Sequence, residues 1–567
     1  MAVSRRTLLF GAADKTGADN AESPPFAVRV MNRMAFGPRP GVDDIDYFNS
    51  LGGDDLSRLT AYVDEQLDPL AIADGEADTR LSDPAFTTLN KTLLQLWQDH
   101  HVNSNNDQPV DDVERAVFVR AVYSRRQLLE VLADFWHNHF NIYARDFYAR
   151  STWVSWDRDV IREHALGNFR QMLEATAKHP AMLYYLDNYT SEAGGPNENY
   201  ARELLELHTL GAEAYFGTIL PGDVPPHPND PSIPAGYVDN DVYEVMKCLT
   251  GWRVNDSSSF GDTGEFMYYP PWHENTAKAV MSFGFQNIPA DQPPEKDGLD
   301  VLDMIAAHPA TARYVSTKLC RRLLADDPPS SIVDAATATF LANTGASDQL
   351  KQVVRTILLS MADPGFDALV PWGSKLKRPF EQVVSAMRAV NADFTIKPDD
   401  SESNSFWWRF DDAGQLPFNH RPPDGYPDKR DVWQGSTSLV HTWRTIDWLL
   451  DENATTGDPV LMPVLEITQN EFPDPSNYTP DSLADFWLTR VLRFTPGGSG
   501  TWLGTDTHDA VARFLAQSYS GASNPYPRNK VPIPPADLAS ESSPYYWHRR
   551  LRGMVGLILS SPNFIQR

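Results

Sequence analysis

The chain of 567 residues has 49 Lys and Arg against 76 Asp and Glu, which gives a net charge of −27. Such an acidic chain lacks the basic clusters that bind nucleic acid or anionic lipid, so we expect neither as a partner. With 41% hydrophobic residues it can bury a large core, and without a run of about eighteen apolar residues it predicts no transmembrane segment.

The first 25 residues form a polar, Pro-containing segment that precedes the helical patterns. Ser4-Arg-Arg-Thr-Leu-Leu-Phe-Gly11 is similar to a twin-arginine export motif. The run of roughly 7–15 apolar residues that a signal requires does not follow it. We therefore expect residues 1–25 to be a disordered tail or a degenerate twin-arginine signal. The protein is then either cytoplasmic or exported, and the sequence does not decide between the two.

Residues 26–567 predict a single large all-α domain with long Pro- and aromatic-rich loops and at most short strands. Apolar residues recur at helical spacing through most of this range. Residues 216–239 are predicted to be an exposed loop, and residues 399–433 an irregular aromatic segment. The predicted helices cover residues 27–41, 43–66, 85–101, 111–144, 169–188, 197–211, 243–254, 309–324, 332–343, 350–362, 379–392, 439–450, 481–494, 506–517 and 546–560.

The two cysteines, Cys248 and Cys320, both lie in apolar helical patterns. This placement predicts buried free thiols and leaves a single disulfide open. A zinc site made of cysteines would need more of them.

A first group of candidate functional residues lies near the C-terminal end of the long predicted helix 111–144. The sequence there is Asp134-Phe-Trp-His-Asn-His-Phe-Asn-Ile142. On a regular helix His137 and His139 point about 200° apart, so they could share one ion only if the helix ends or distorts there. Asp134 lies one turn before His137 and is a candidate to orient its ring. The alternative is that these histidines only satisfy buried backbone groups.

The second group lies on the predicted helix between Asn197 and Gly211. Asn197 is a candidate N-cap and Gly211 a candidate C-terminal stop. Glu198, Arg202 and Glu206 share one face, which is most often a surface row of ion pairs. Glu203 and Glu206 are candidate acid/base carboxylates with Arg202 beside them. His208 lies on the apolar face, where a histidine is more often a hydrogen-bonded core residue than a ligand.

A third candidate ligand, His273, follows the helix that ends at Trp252. It lies among Phe266, Tyr268 and Trp272, which also fits a simple packing role. The proposed metal ligands are thus His137, His139, His208 and His273.

Several of these segments occur together, in order, in one known family. They are Asn32-Arg-Met-Ala-Phe-Gly37, Phe135-Trp-His-Asn-His139, Asn197-Glu-Asn199 with the charged residues that follow, Leu249-Thr-Gly-Trp252, His273 with Lys278, His308-Pro-Ala-Thr-Ala-Arg313, Lys377 with Pro379, and Arg421-Pro-Pro423. Over residues 28–560 the chain resembles the bacterial family catalogued as domain of unknown function 1800. It departs at Gly425-Tyr426-Pro427, where the family usually has Gly-Trp-Pro, and in its incomplete twin-arginine signal.

The resemblance implies a large helical fold and no settled activity. Members tend to be encoded beside a second family that is similar to sulfatases and alkaline phosphatases. A sulfatase-like partner protein is therefore an expectation from this resemblance and from nothing in the residues themselves.

Three functions fit these patterns. The first is a metal-dependent hydrolase or oxidoreductase, in which His and Glu side chains between helices hold a divalent or transition metal. The second is a non-enzymatic binding or assembly protein that acts with the sulfatase-like partner. The third is a metal-free glycoside hydrolase that uses Glu203 or Glu206, with tryptophans that stack on sugar. The candidate stacking residues are Trp136, Trp252, Trp272, Trp408 and Trp433.

Overall fold

The computed structural model describes residues 23–104, 106–453, 460–493, 503, 505–517, 526–529, 531–540 and 546–567. The predicted tail or signal lies outside them except for residues 23–25. The prediction of an all-α fold is confirmed. The α-helices in the described residues are α1 (Phe26–Met34), α2 (Ile45–Ser50), α3 (Asp55–Gln66), α4 (Gly75–Leu81), α5 (Leu93–Trp97), α6 (Gln108–Tyr123), α7 (Gln127–His139), α8 (Trp153–Ser155), α9 (Phe169–Lys178), α10 (Pro180–Tyr185), α11 (Asn199–Glu203), α12 (Asp239–Cys248), α13 (Lys296–Ala306), α14 (Pro309–Leu323), α15 (Ser330–Ala342), α16 (Gln349–Leu359), α17 (Phe366–Leu369), α18 (Pro379–Ala389), α19 (Ser401–Ala413), α20 (Arg430–Trp433), α21 (Ser436–Asp451), α22 (Val464–Glu471), α23 (Pro480–Leu492), α24 (Thr505–Ala516), α25 (Pro535–Leu538), α26 (Trp547–Leu559) and α27 (Pro562–Ile565).

Two short antiparallel hairpins interrupt the helices. In the Pro-rich segment β1 (Pro226–His227) pairs with β2 (Asp230–Pro234). After α12, β3 (Trp252–Val254) pairs with β4 (Phe266–Tyr268). The expectation of at most short strands therefore fits the described residues.

Several predicted helices differ from the structure. The predicted helix 43–66 is two helices, α2 and α3, with Asp44 and Asp54 as their separate N-caps. The predicted helix 243–254 was wrong at its end, because α12 stops at Cys248 and Trp252–Val254 form β3.

The predicted helix 111–144 is two helices, α6 and α7, because the backbone of Ser124 is extended and its hydroxyl donates to Asp74. The predicted irregular segment 399–433 contains α19. Asp400 caps the start of this helix through the Ser403 amide, and Phe406, at helical spacing from Phe410, turns into the core.

The buried hydrophobic side chains of the described residues form one connected cluster that extends from Ala27 to Ile565. That a single domain covers residues 26–567 stays a prediction. Cys248 and Cys320 are buried free thiols, as predicted. No helix in the described ranges is long and apolar enough to cross a membrane.

In the described ranges, three turns of π-helix distinguish this fold from a regular bundle. They span Gln98–Val102, Trp156–Arg162 and Leu204–Thr209. A π-helix bonds residue i to i+5 and is wider than an α-helix, and such turns occur often at functional sites. The second packs against α7, and the third packs against α13 and α14. Two of them therefore lie beside the predicted histidines.

Candidate active site around His137

α7 presents its two histidines to different neighbours, as the 200° separation predicts. His137 bonds through Nε2 to Asp157 Oδ1 at 2.9 Å. His139 bonds through Nε2 to the backbone oxygen of His208 at 3.1 Å. The predicted orienting role of Asp134 was wrong, because this carboxylate accepts hydrogen bonds from Arg322 and Arg378 instead. Asp157 is the residue that orients His137.

The π-turn Trp156–Arg162 positions this partner. Arg162 follows Asp157 by five residues, the spacing that a π-helix aligns on one face. Its Nε lies 3.0 and 2.9 Å from the two oxygens of Asp157. Its terminal nitrogens donate to both oxygens of Glu130 on α7 at 3.0 and 2.9 Å. A bidentate pair of this kind is specific in geometry. It joins the π-turn to the helix that carries His137.

Charges around Asp157 keep it ionised. Burial is the largest influence and by itself would raise the pKa of Asp157. Arg162, the hydrogen bond from His137, and Arg120 together hold that pKa well below its usual 3.8. A carboxylate only accepts hydrogen bonds, so Nε2 of His137 is the ring nitrogen that carries a hydrogen. When the ring is neutral, Nδ1 is therefore the nitrogen that holds the lone pair.

His137 lines a cavity of about 620 Å³, counted with its mouth. Nδ1 is buried and has no hydrogen-bond partner among the described residues. The cavity is mostly apolar with a few polar groups, the usual composition of a small-molecule site. Its lining residues are Phe36, Val117, Ala121, Glu130, Ala133, Asp134, His137, Asn138, Asn141, Arg162, Arg378, Phe380, Gln415, Pro417, Phe418 and Tyr426.

Phe418 covers the imidazole. Its ring centroid lies 4.5 Å from that of His137 and 5.3 Å from that of Trp153. Its backbone has φ +59°, a left-handed conformation that costs a bulky residue free energy. The strained position is held by a hydrogen bond from the Ala144 amide to the Phe418 oxygen. A loop residue in a strained conformation therefore packs on the His137 ring and lines the same cavity.

His139 and His208 lie side by side, with ring centroids 6.4 Å apart. His208 is fully buried, and neither of its ring nitrogens has a partner in the described part of the chain. Burial first and Lys318 second lower the pKa of His208 to about 3, so its ring is neutral. Burial likewise holds the pKa of His139 well below its usual value. Two neutral imidazoles face each other in the interior, with His139 Nδ1 also unpaired.

His273 is in a different environment, a saturated polar cluster. Nδ1 lies 2.9 Å from the Thr250 oxygen, and Nε2 lies 3.1 Å from Asp297 Oδ2. The same carboxylate binds the ammonium of Lys278 at 2.5 Å. That ammonium also donates to the backbone oxygens of Glu274 and Thr276. Both ring nitrogens of His273 are occupied, which is what a structural histidine requires.

The predicted catalytic carboxylates lie where an α-helix continues as a π-helix. Glu203 is the last residue of α11, and Glu206 lies in the π-turn that follows. The predicted regular helix 197–211 was wrong in its second half, which is the π-turn Leu204–Thr209 after α11. Arg202 pairs with Glu198 at 3.7 Å and with Asp239 at 3.5 Å. Burial first and Glu206 second raise the pKa of Glu203. The roles of Glu203, Glu206 and Arg202 stay predictions.

The four histidines thus divide among three environments. Only His139 and His208 are brought together, while His137 joins Asp157 and His273 joins Asp297. No three His, Cys, Asp or Glu side chains of the described residues are arranged to hold a metal ion. The metal site stays a prediction, and the pair best suited to it is His139 with His208. Of the candidate stacking tryptophans, Trp408 is 65% exposed, whereas Trp136, Trp252 and Trp433 are buried.

Sequence reasoning missed Asp157, Arg162 and Glu130. In a regular helix residues five apart lie about 140° apart, so nothing in the spacing of Asp157 and Arg162 indicated a shared face. The readable signal was chemical: Trp156-Asp-Arg-Asp-Val-Ile-Arg162 puts four charges among apolar residues.

Comparisons with known proteins define the family. No curated protein and no solved structure matched the chain. A family model described as "Protein of unknown function (DUF1800)" matches residues 29–566. Because this match covers nearly the whole length, the chain belongs to the DUF1800 family.

Proposed function

We propose that this protein is an enzyme in which His137, oriented by Asp157, acts as a general base in the enclosed cavity. One observation supports the proposal above the others. His137 has one ring nitrogen bound to an ionised carboxylate and the other free beside a cavity. A base held this way by a third group is the usual arrangement in general acid–base catalysis.

The lining of the cavity suggests the substrate class. Its apolar wall includes Phe36, Val117 and Phe380, which suits a small molecule with an apolar part. Two donors remain for an oxyanion. Gln415 accepts from the Phe380 amide at 3.0 Å, and its amide nitrogen has no bond to a described residue. Arg378 bonds Asp134 through Nη2, and its Nη1 has no bond within the described ranges. We infer a carbonyl compound.

The reaction follows from the same residues. No Ser, Thr or Cys is among the described residues that line the cavity. His137 Nδ1 would therefore take a proton directly, from water that adds to the carbonyl carbon or from the carbon beside it. Asp157 would stabilise the imidazolium that forms. Arg378 and Gln415 would stabilise the negative oxygen until the proton returns to the product.

The test uses two reactions and one matched control. Hydrolysis of 4-nitrophenyl acetate and butyrate reports water addition, and hydrogen–deuterium exchange in small ketones and carboxylic acids reports proton abstraction. His137→Gln and Asp157→Asn are compared with His441→Gln, which alters a surface His–Asp pair 3.8 Å apart. A rate loss of about 10²–10⁴-fold in the first two alone is expected. Equal rates in all three would overturn the proposal.

A metal-dependent reaction is the second candidate, and the three unpaired nitrogens of His139 and His208 favour it. Buried imidazole nitrogens without partners need an explanation, and a bound ion is one. Elemental analysis of protein purified without a His-tag tests this candidate. About one equivalent of a transition metal that is lost in His208→Ala would support it. A content well below one equivalent, after growth with added metals, would contradict it.

A further inference from the structure

A second cavity lies on the other side of the segments that line the first. Gly37 and Lys377 line it, whereas their chain neighbours Phe36 and Arg378 line the cavity of His137. It spans about 400 Å³, a volume that includes the open solvent at its mouth. Its lining residues are Val28, Asn32, Gly37, Pro38, Ile45, Trp372, Lys377, Ser385, Ala389, Val491, Leu492, Arg493, Asn563 and Phe564.

The charge of this lining is unusual for the chain. It includes two cations, Lys377 and Arg493, and no Asp or Glu among the described residues, although the whole protein has a net charge of −27. The acid that raises the pKa of Lys377 is Glu381. Its carboxylate already binds Arg322 at 2.5 Å and Arg567 at 2.9 Å.

Within the part of the chain that the structure describes, Lys377 has no counter-charge of its own. The residue is 3% exposed, and its ammonium lies 4.3 Å from the centroid of the Phe564 ring. No hydrogen bond joins that ammonium to any residue in the described ranges. Arg493 adds a buried Nε that is also unpaired there. Burying an unpaired charge costs free energy, so the protonated ammonium of Lys377 needs a partner.

We propose that this cavity binds a small oxyanion, a carboxylate or a phosphate group, between Lys377 and Arg493. The amides of Asn32 and Asn563 line the same space, and the apolar walls Leu492 and Phe564 suit a short apolar substituent on the anion. An ammonium and a guanidinium are the side chains that form strong, charge-assisted bonds to such groups. The inference does not depend on the activity proposed for His137.

The charges around Lys377 should make anion binding at this site depend on pH. Burial first, and then Arg567, lower the pKa of Lys377 to about 7, although Glu381 raises it. Arg493 is the other cation that lines the cavity. A bound anion favours the protonated amine, so binding takes up a proton near pH 7 and strengthens as the pH falls.

The experiment measures binding of sodium acetate and sodium phosphate by calorimetry, at constant ionic strength set with NaCl. Wild type is compared with Lys377→Met, Arg493→Gln and a control, Lys351→Met, which alters a lysine of α16 away from the cavity. We expect each of the first two variants to weaken binding about tenfold or more, the loss of one charge-assisted bond. The control should bind as wild type does. If acetate binds more tightly, the ligand is a carboxylate; if phosphate binds more tightly, the ligand is a phosphate group.

A second measurement keeps the inference testable if one variant folds poorly. Titrations of sodium acetate at pH 7, in buffers of different ionisation enthalpy, count the protons taken up, because acetate itself is fully ionised at that pH whereas phosphate is not. Wild type should take up a fraction of a proton per anion, and Lys377→Met none. Equal affinity in all four proteins, or binding to wild type without proton uptake, would overturn the proposal.

Discussion

Two buried His–Asp pairs in this fold differ in what their second nitrogen does. His137–Asp157 and His273–Asp297 are equally buried, with side-chain exposures between 3% and 6%. Each carboxylate also binds a cation, Arg162 in one pair and Lys278 in the other. In the His273 pair every ring nitrogen and every ammonium hydrogen has a partner. In the His137 pair one nitrogen is free beside a cavity. Burial and ion pairing alone therefore do not distinguish the two pairs, whereas the nitrogen left unused beside a cavity does.

The largest effect should come from breaking the saturated pair. Asp297→Ala leaves Lys278, whose side chain has no exposure, without its counter-charge. Removing one partner of a buried ion pair costs about 3–5 kcal/mol of unfolding free energy. Urea unfolding at pH 7 measures it. Asp303→Ala on the same helix is the control, because its ion pair with Arg170 is exposed and such pairs contribute about 0–1 kcal/mol. Equal losses would contradict the assignment of a structural role.

Substitution in the His137–Asp157 pair should lower the turnover rate more than the free energy of unfolding. His137→Gln removes the free nitrogen but leaves Asp157 bound to Arg162. We expect a turnover loss of about 10²–10⁴-fold with a stability loss of about 1 kcal/mol, that of one hydrogen bond. Rates and urea unfolding are measured on the same preparations. A rate that falls only as far as the folded fraction falls would assign His137 a structural role.

Both pairs should stabilise the fold less in acid. The pKa values of Asp157 and Asp297 are lowered from 3.8, so each ionised carboxylate favours the folded state. That stabilisation is complete above about pH 5 and is lost as the pH falls through the unfolded pKa towards the folded one. Asp157→Asn should therefore show a smaller slope of unfolding free energy against pH below about pH 4. A curve parallel to that of wild type would contradict the ionised state of Asp157.

The smallest effect we expect is a change in how fast a reagent reaches His137 compared with His273. Phe418→Ala removes the ring that covers His137 and does not touch His273. Carbethoxylation by diethylpyrocarbonate, followed by mass spectrometry, should become severalfold faster at His137 only. The His273 peptide serves as the internal control. An unchanged rate at His137 would show that Phe418 does not limit access to the free nitrogen.

The sequence predicted the all-α fold because helical periodicity is a local property. It identified His137 because two histidines among aromatic residues, one turn after Asp134, are a visible pattern. It could not predict Asp157 as the partner, since that contact depends on a π-turn twenty residues away. The start and stop of α19, Asp400 and Gly414, were readable, yet the aromatic composition between them suggested a loop. The Lys377 cavity lies where α1, α18, α23 and α27 pack together. These helices are far apart in the sequence, so no local sequence pattern predicts the cavity.

The most direct test of the account is the turnover of wild type, His137→Gln and His441→Gln on the carbonyl substrates, with unfolding measured in parallel. The account predicts that His137→Gln alone loses about a hundredfold or more in kcat/KM while it stays folded. Wild-type kcat/KM in His137→Gln, on a substrate that the protein turns over, would contradict it.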